Sequence, residues 1–195
     1  MAENIASFHG PLSERVRHRA AAYCRSRQGR LLDVGCGSGL LFEALGSRSD
    51  LRCCGLDRSF DLLREIRRRC RERVVCVRGL LDHLPFRDRS FDVVTCLNTL
   101  LNLPSLEAVD MALHEMMRVS ARHVIVDIRN AGNPYMRLKY WRHRRTATFP
   151  TVAYRLDDIE RFLQSGGFGI EEVYPVGMNA RWLAWGYVIV AVTLR

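Results

Sequence analysis

The residues best placed for chemistry lie in the run Leu31-Leu32-Asp33-Val34-Gly35-Cys36-Gly37-Ser38-Gly39. Glycines at alternate positions after an apolar stretch mark a strand that turns sharply into a helix. Small residues there let a ligand approach the backbone, and the free N–H groups at the helix start face it. Such a turn holds the nucleotide part of a cofactor. The spacing narrows the choice. A dinucleotide fingerprint reads G-x-G-x-x-G, and Leu40 stands at its sixth position. A phosphate loop needs Gly-Lys-Ser/Thr, and this turn has no lysine. A second acidic group, Asp57, ends the apolar run Leu51–Leu56, 18 positions after Gly39, with Arg58 beside it. A carboxylate at that strand end accepts hydrogen bonds from ribose hydroxyls. Its alternative role is to cap the next helix, which Ser59 fills equally well.

The glycine run resembles motif I of the class I S-adenosylmethionine-dependent methyltransferases, in the manner of a small-molecule methyltransferase domain. The stretch Gly79-Leu80-Leu81-Asp82-His83-Leu84-Pro85-Phe86, followed by Ser90-Phe91-Asp92-Val93-Val94, is similar to a third signature of that family. The resemblance covers about residues 30–130. It implies S-adenosylmethionine as cofactor and methyl transfer by SN2 displacement as the activity. It also implies roles. Asp33 organises the methionine end. Gly35, Cys36, Gly37 and Gly39 admit the cofactor against the backbone, and Asp57 with Arg58 meets the ribose. Leu80 occupies the position where the family carries an acidic residue for the adenine amino group, so adenine is left to the Leu81 backbone N–H and to apolar packing. The backbone near Cys96 receives the cofactor's amino group, and Asn98 lies near the transferred methyl.

Residues 129–155 are the unusual part. They contain no acidic residue and seven cations: Arg129, Arg137, Lys139, Arg142, Arg144, Arg145 and Arg155. Tyr135, Tyr140, Trp141, Phe149 and Tyr154 are interleaved with them. We read this segment as a substrate lid, with Arg129, Tyr135, Arg137, Tyr140 and Trp141 contacting the acceptor. Arginine suits carboxylate or phosphate groups, and aromatic rings stack on planar ones. The alternative reading is a solvated basic helix. Asn133-Pro134-Tyr135 imitates a signature of exocyclic-amine methyltransferases, but it follows the fifth strand and reads as a turn. A base is required only when the acceptor keeps its proton at attack. His143 is the candidate, and Asp127 is a candidate to orient the acceptor. His83, His114 and His123 are assigned to structure.

The elements that must position these groups alternate. Helices are expected at 12–27 (Ser13 as N-cap), 39–47, 60–71, 105–118 and 156–165. Strands are expected at 30–34, 51–56, 73–77, 91–96, 123–128, 168–175 and 186–194. Alternation of this kind gives a parallel sheet covered on both faces. The last two strands have no helix between them and so pair antiparallel. The expectation is an α/β, Rossmann-like, doubly wound seven-stranded sheet, mostly parallel, with one antiparallel strand near the C-terminus. The whole of 1–195 reads as a single methyltransferase domain with an N-terminal helical segment, 1–28, and the basic lid 129–155.

Bulk properties fit. The chain is 48% hydrophobic and 26% charged, as in a globular protein, and no apolar run is long enough to span a bilayer. Met1-Ala2-Glu3-Asn4 does not open a signal peptide, so a cytoplasmic location is expected. Cys24, Cys36, Cys53, Cys54, Cys70, Cys76 and Cys96 form no C-x-x-C pair and no zinc pattern, which makes them reduced structural thiols and leaves no metal site. The net charge of +9 is almost wholly arginine. The favoured partner is a small anionic or aromatic molecule. The alternatives are an RNA or tRNA methyltransferase using the basic segment, and a non-catalytic cofactor-binding protein.

Overall fold

The computed structural model describes residues 10–46, 50–70, 73–146, 151–178 and 180–194, with the backbone alone for 143–146. The order is α1 (Pro11–Arg25), β1 (Gly29–Val34), α2 (Leu40–Leu45), β2 (Leu51–Asp57), α3 (Phe60–Cys70), β3 (Val74–Arg78) and β4 (Phe91–Cys96). Then come α4 (Leu106–Val119), β5 (Ser120–Arg129), α5 (Pro134–Thr146), α6 (Leu156–Ser165), β6 (Phe168–Val176) and β7 (Gly186–Thr193). Short 3-10 turns cover Leu100–Asn102 and Arg181–Leu183.

The strands form one seven-stranded sheet in the order β3-β2-β1-β4-β5-β7-β6. β7 runs antiparallel to both of its neighbours, and the ladders among the first five strands are parallel. The expected fold class holds. The core explains it. Side chains alternate across a strand, so neighbouring residues serve opposite faces. Leu32, Val94 and Val124 enter the layer under α4 and α6, together with Leu113, Met116, Ile159 and Leu163. Leu31, Val93 and Ile125 enter the layer under α1, α2 and α3, together with Val16, Ala20, Leu41 and Ile66. A sheet buried on both faces needs such unbroken apolar runs.

The sequence reading misplaced some features. Ser13 does not cap α1. Gly10 takes that position ahead of Pro11, and Ser13 is buried inside the first turn. The segment 129–155 contains α5. Asn133-Pro134-Tyr135 opens that helix rather than closing a turn: Asn133 Oδ1 accepts from Tyr135 N at 2.9 Å and Met136 N at 3.2 Å, with proline at the first helical position, where its missing N–H costs nothing.

Candidate active site

β1 and β4 lie side by side although β2 and β3 intervene in sequence. Their carboxyl ends therefore form the crevice where the chain changes direction, the place where open α/β sheets bind ligands. The glycine turn fills one wall. Gly35, Gly37 and Gly39 all take positive φ (73°, 53° and 83°), which side chains rarely adopt. Their surroundings differ. A Cβ on Gly35 would lie 2.6 Å from the Thr99 side chain, and one on Gly39 would lie 2.9 Å from Ile66. A Cβ on Gly37 meets nothing within 4 Å. Gly35 and Gly39 are glycines because protein packs against them, whereas the space beside Gly37 is open for something else.

Asp57 holds the turn in place. Its Oδ2 accepts from Gly37 N at 2.9 Å and its Oδ1 from Ser59 N at 2.8 Å. Each carboxylate oxygen keeps a further lone pair, so ribose hydroxyls can be accepted without breaking these bonds. Helix capping falls to Ser59, whose Oγ accepts from Leu62 N at 3.5 Å. Gly35 N and Cys36 N both donate to the Leu56 carbonyl, at 2.7 and 3.1 Å, binding the turn to β2. Arg69 braces the far side through the Ser38 carbonyl and Glu43.

Asp33 lies beneath the turn, buried, and accepts from Thr95 Oγ1 at 2.7 Å. Burial raises its pKa to about 7, which the Thr95 bond only partly offsets. A buried carboxyl poised near neutrality favours a cationic ligand, whose charge would hold it ionised. Cys96, at the end of β4, is buried and its thiol is pushed well above the ordinary range by desolvation. Its thiol is therefore no nucleophile.

The β4 tip is set by a buried polar network. Asn98 has φ 55° and is buried. Its N–H donates to Asp127 Oδ1 at 2.5 Å, and its Oδ1 accepts from Arg129 at 2.7 Å. Arg129 also donates to Asp127 Oδ2 at 2.6 Å and to Ser13 Oγ at 3.2 Å. Arg129 was expected to face the acceptor from the lid. Instead it is buried, with its charge neutralised by Asp127 two residues earlier on the same strand face. Asp127 is fully buried with both oxygens engaged; desolvation pushes its pKa up, and Arg129 opposes that.

Leu80 is exposed at the rim in a bridge with His83, and Leu81 is half-buried against the core. Arg58 is exposed, and its carbonyl accepts from Arg78 Nε. In α5, Tyr135, Arg137 and Trp141 are exposed and Tyr140 is half-buried. The side chains of His143, Arg144, Arg145 and Phe149 lie outside the described residues. Residues 151–155 run beside the segments that follow β4 and end β5, with Val152 N donating to the Leu101 carbonyl at 2.7 Å and Tyr154 N to the Arg129 carbonyl at 2.9 Å. Among the described residues, no group of three or more His, Cys, Asp or Glu could hold a metal ion, and all seven cysteines are free. Thr95 and Thr99 gave no sequence signal, and Ser13 signalled only a helix cap. Each acts only through a neighbour brought close by sheet register or by folding of α1, and none belongs to a motif.

The glycine turn with open space at Gly37, the Asp57 clamp and the buried Asp33 fit S-adenosylmethionine: they offer acceptors for a ribose and an environment suited to a cation. Comparison with known proteins agrees. The methyltransferase domain family matches residues 32–126. The chain is 31% identical over 115 residues to the demethylmenaquinone methyltransferase of Roseiflexus sp. (strain RS-1), covering 58% of this chain and 48% of that protein. It is 33% identical over 117 residues to the 2-phytyl-1,4-naphtoquinone methyltransferase of Synechococcus elongatus, covering 55% and 49%. The match thus spans about half the length of these relatives. In fold it is similar to the magnesium protoporphyrin IX methyltransferase of Synechocystis PCC 6803 with bound SAH, with a TM-score of 0.74 at 17% identity over 93% of this chain and 83% of that one.

Proposed function

We propose that this chain is a class I S-adenosylmethionine-dependent methyltransferase that transfers a methyl group to a small aromatic molecule. The observation that carries the donor assignment is the pairing of open space at Gly37 with the Asp57 carboxylate that holds its N–H. The acceptor class is supported by relatives named for quinones.

When bound, the cofactor supplies an electrophilic methyl on a sulfonium, so the protein's share of the work is orientation, electrostatics and exclusion of water. Asp57 fixes the ribose end, and Gly37 admits it. Asp33 favours positive charge beneath the turn. The Arg129 guanidinium fixes the Asn98 amide, because only its oxygen can accept; the Nδ2 donors are left for the acceptor or cofactor. Asp127 acts through Asn98 and Arg129, as a positioning residue. Where the acceptor retains a proton, His143 is the proposed base.

The test is to incubate the protein with methyl-labelled S-adenosylmethionine and fractionated cell extract. Label should enter organic-soluble small molecules. Label confined to RNA or protein would overturn the acceptor class. Turnover by His143→Ala equal to the parent at saturating cofactor would remove His143 from the chemistry.

A further inference from the structure

All three tryptophans of the chain are exposed: Trp141, Trp182 at 73% and Trp185. Tryptophan is ordinarily among the more buried residues, and a group of exposed ones marks an interaction surface. Two segments carry them. In α5, at about 3.6 residues per turn, Met136 and Tyr140 share the inner face, where Met136 is buried. Leu138, 56% exposed, falls opposite them, with Tyr135 and Trp141 beside it and Arg137, Lys139 and Arg142 around these three. The outward face of α5 therefore mixes Tyr135, Leu138 and Trp141 with Arg142, and Arg137 and Lys139 stand at its edges. The second segment is the β6–β7 connection, where Met178, Trp182 and Trp185 are exposed.

The two segments are joined. Asn133, which caps α5, donates through Nδ2 to the Leu183 carbonyl at 2.8 Å, and Asn130 donates to the Ala184 carbonyl at 2.9 Å. Asn130 N also donates to the Trp185 carbonyl at 3.0 Å. Both segments leave the same end of the sheet, the carboxyl end of β5 and β6, where the crevice opens. We infer that this rim docks on the surface of a bilayer containing anionic lipid, in the manner of an interfacial amphipathic surface, and so opens the site toward the membrane. Two arguments favour that occupant. Leu138 and Met178 are aliphatic, which suits hydrocarbon better than stacked bases. Tryptophan and tyrosine prefer the headgroup level, and arginine and lysine beside them complement anionic headgroups. No described helix is long and apolar enough to cross a membrane. The inference concerns the surface alone and does not depend on which molecule is methylated.

The test is co-sedimentation of the full chain with vesicles of phosphatidylcholine alone or mixed with phosphatidylglycerol, followed by tryptophan emission. Binding to the mixed vesicles with a blue shift is expected. Partitioning onto phosphatidylcholine alone should be on the order of a hundredfold weaker, at about a factor of five for each of three cations. The double variant Leu138→Ser/Trp182→Ser should lose binding while keeping native circular dichroism and S-adenosylmethionine affinity. Absence of sedimentation with either vesicle would overturn the proposal. So would sedimentation unaffected by the double variant, or binding of bulk tRNA without any vesicle-induced shift.

Discussion

Asp57, at the end of β2, accepts a hydrogen bond from the backbone N–H of Gly37 at 2.9 Å, so the carboxylate that would hold a ribose also sets the shape of the turn that would admit it. Asp57→Asn keeps one acceptor oxygen and loses the charge. The expected outcome is a protein that folds and binds S-adenosylmethionine about ten- to a hundredfold more weakly, since hydrogen bonds to charged groups contribute roughly 1.5–3 kcal/mol. Calorimetric titration of parent and variant measures it, and equal affinity would remove Asp57 from the cofactor site.

Gly35 and Gly37 should separate folding from binding. Gly37→Ala adds a methyl to open space, so its folding cost is the left-handed backbone alone, about 1–2 kcal/mol. Gly35→Ala adds the same backbone strain and also a clash with Thr99. Urea denaturation should show Gly35→Ala as the less stable of the two, while cofactor titration should show Gly37→Ala losing most of its affinity despite remaining folded.

The turn was legible because its residues are contiguous and each glycine is required by a local conformation. β4 at 91–96 and α6 at 156–165 were readable to the residue because polar or turn residues bound both apolar patterns. β5 begins at Ser120, earlier than its apolar run at 123, because Ser120 pairs with Phe91 in the ladder although its side chain gives no strand signal. α5 was illegible as a core helix for a different reason. Tyr135, Leu138 and Trp141 are exposed and only Met136 is buried, so the inward stripe is too short to stand out. Arg129 misled because an arginine in a basic run reads as solvated. Only its position two residues after Asp127 on a strand, on the same face, hints at an internal pair.

Arg129 and Asp127 should behave as a unit in stability. Arg129→Met leaves Asp127 buried without its partner and should cost about 3–5 kcal/mol in urea unfolding. Asp127→Asn combined with Arg129→Met should cost less than Arg129→Met alone, because the uncompensated charge is gone. Additive losses would show that the pair is not coupled.

Asp33 predicts a pH dependence whose sign follows from burial. Its folded pKa, about 7, exceeds the ordinary carboxylate value of 3.8, so the native state holds the extra proton between those values. Its contribution to stability is present below about 4 and is lost as pH rises toward 7. Unfolding free energy measured across that range should fall more steeply with pH in the parent than in Asp33→Asn. A cationic cofactor favours the ionised form, so binding at pH 6 should release protons and should strengthen as pH rises to 8. Titrations in buffers of different ionisation enthalpy measure that release.

The most direct measurement is calorimetric titration of the chain with S-adenosylmethionine and with S-adenosylhomocysteine, alongside Gly37→Ala and Asp57→Asn. The account predicts one-to-one binding of both ligands to the parent and marked weakening in both variants while each remains folded. Absence of binding by the folded parent, or binding unchanged in both variants, would contradict it.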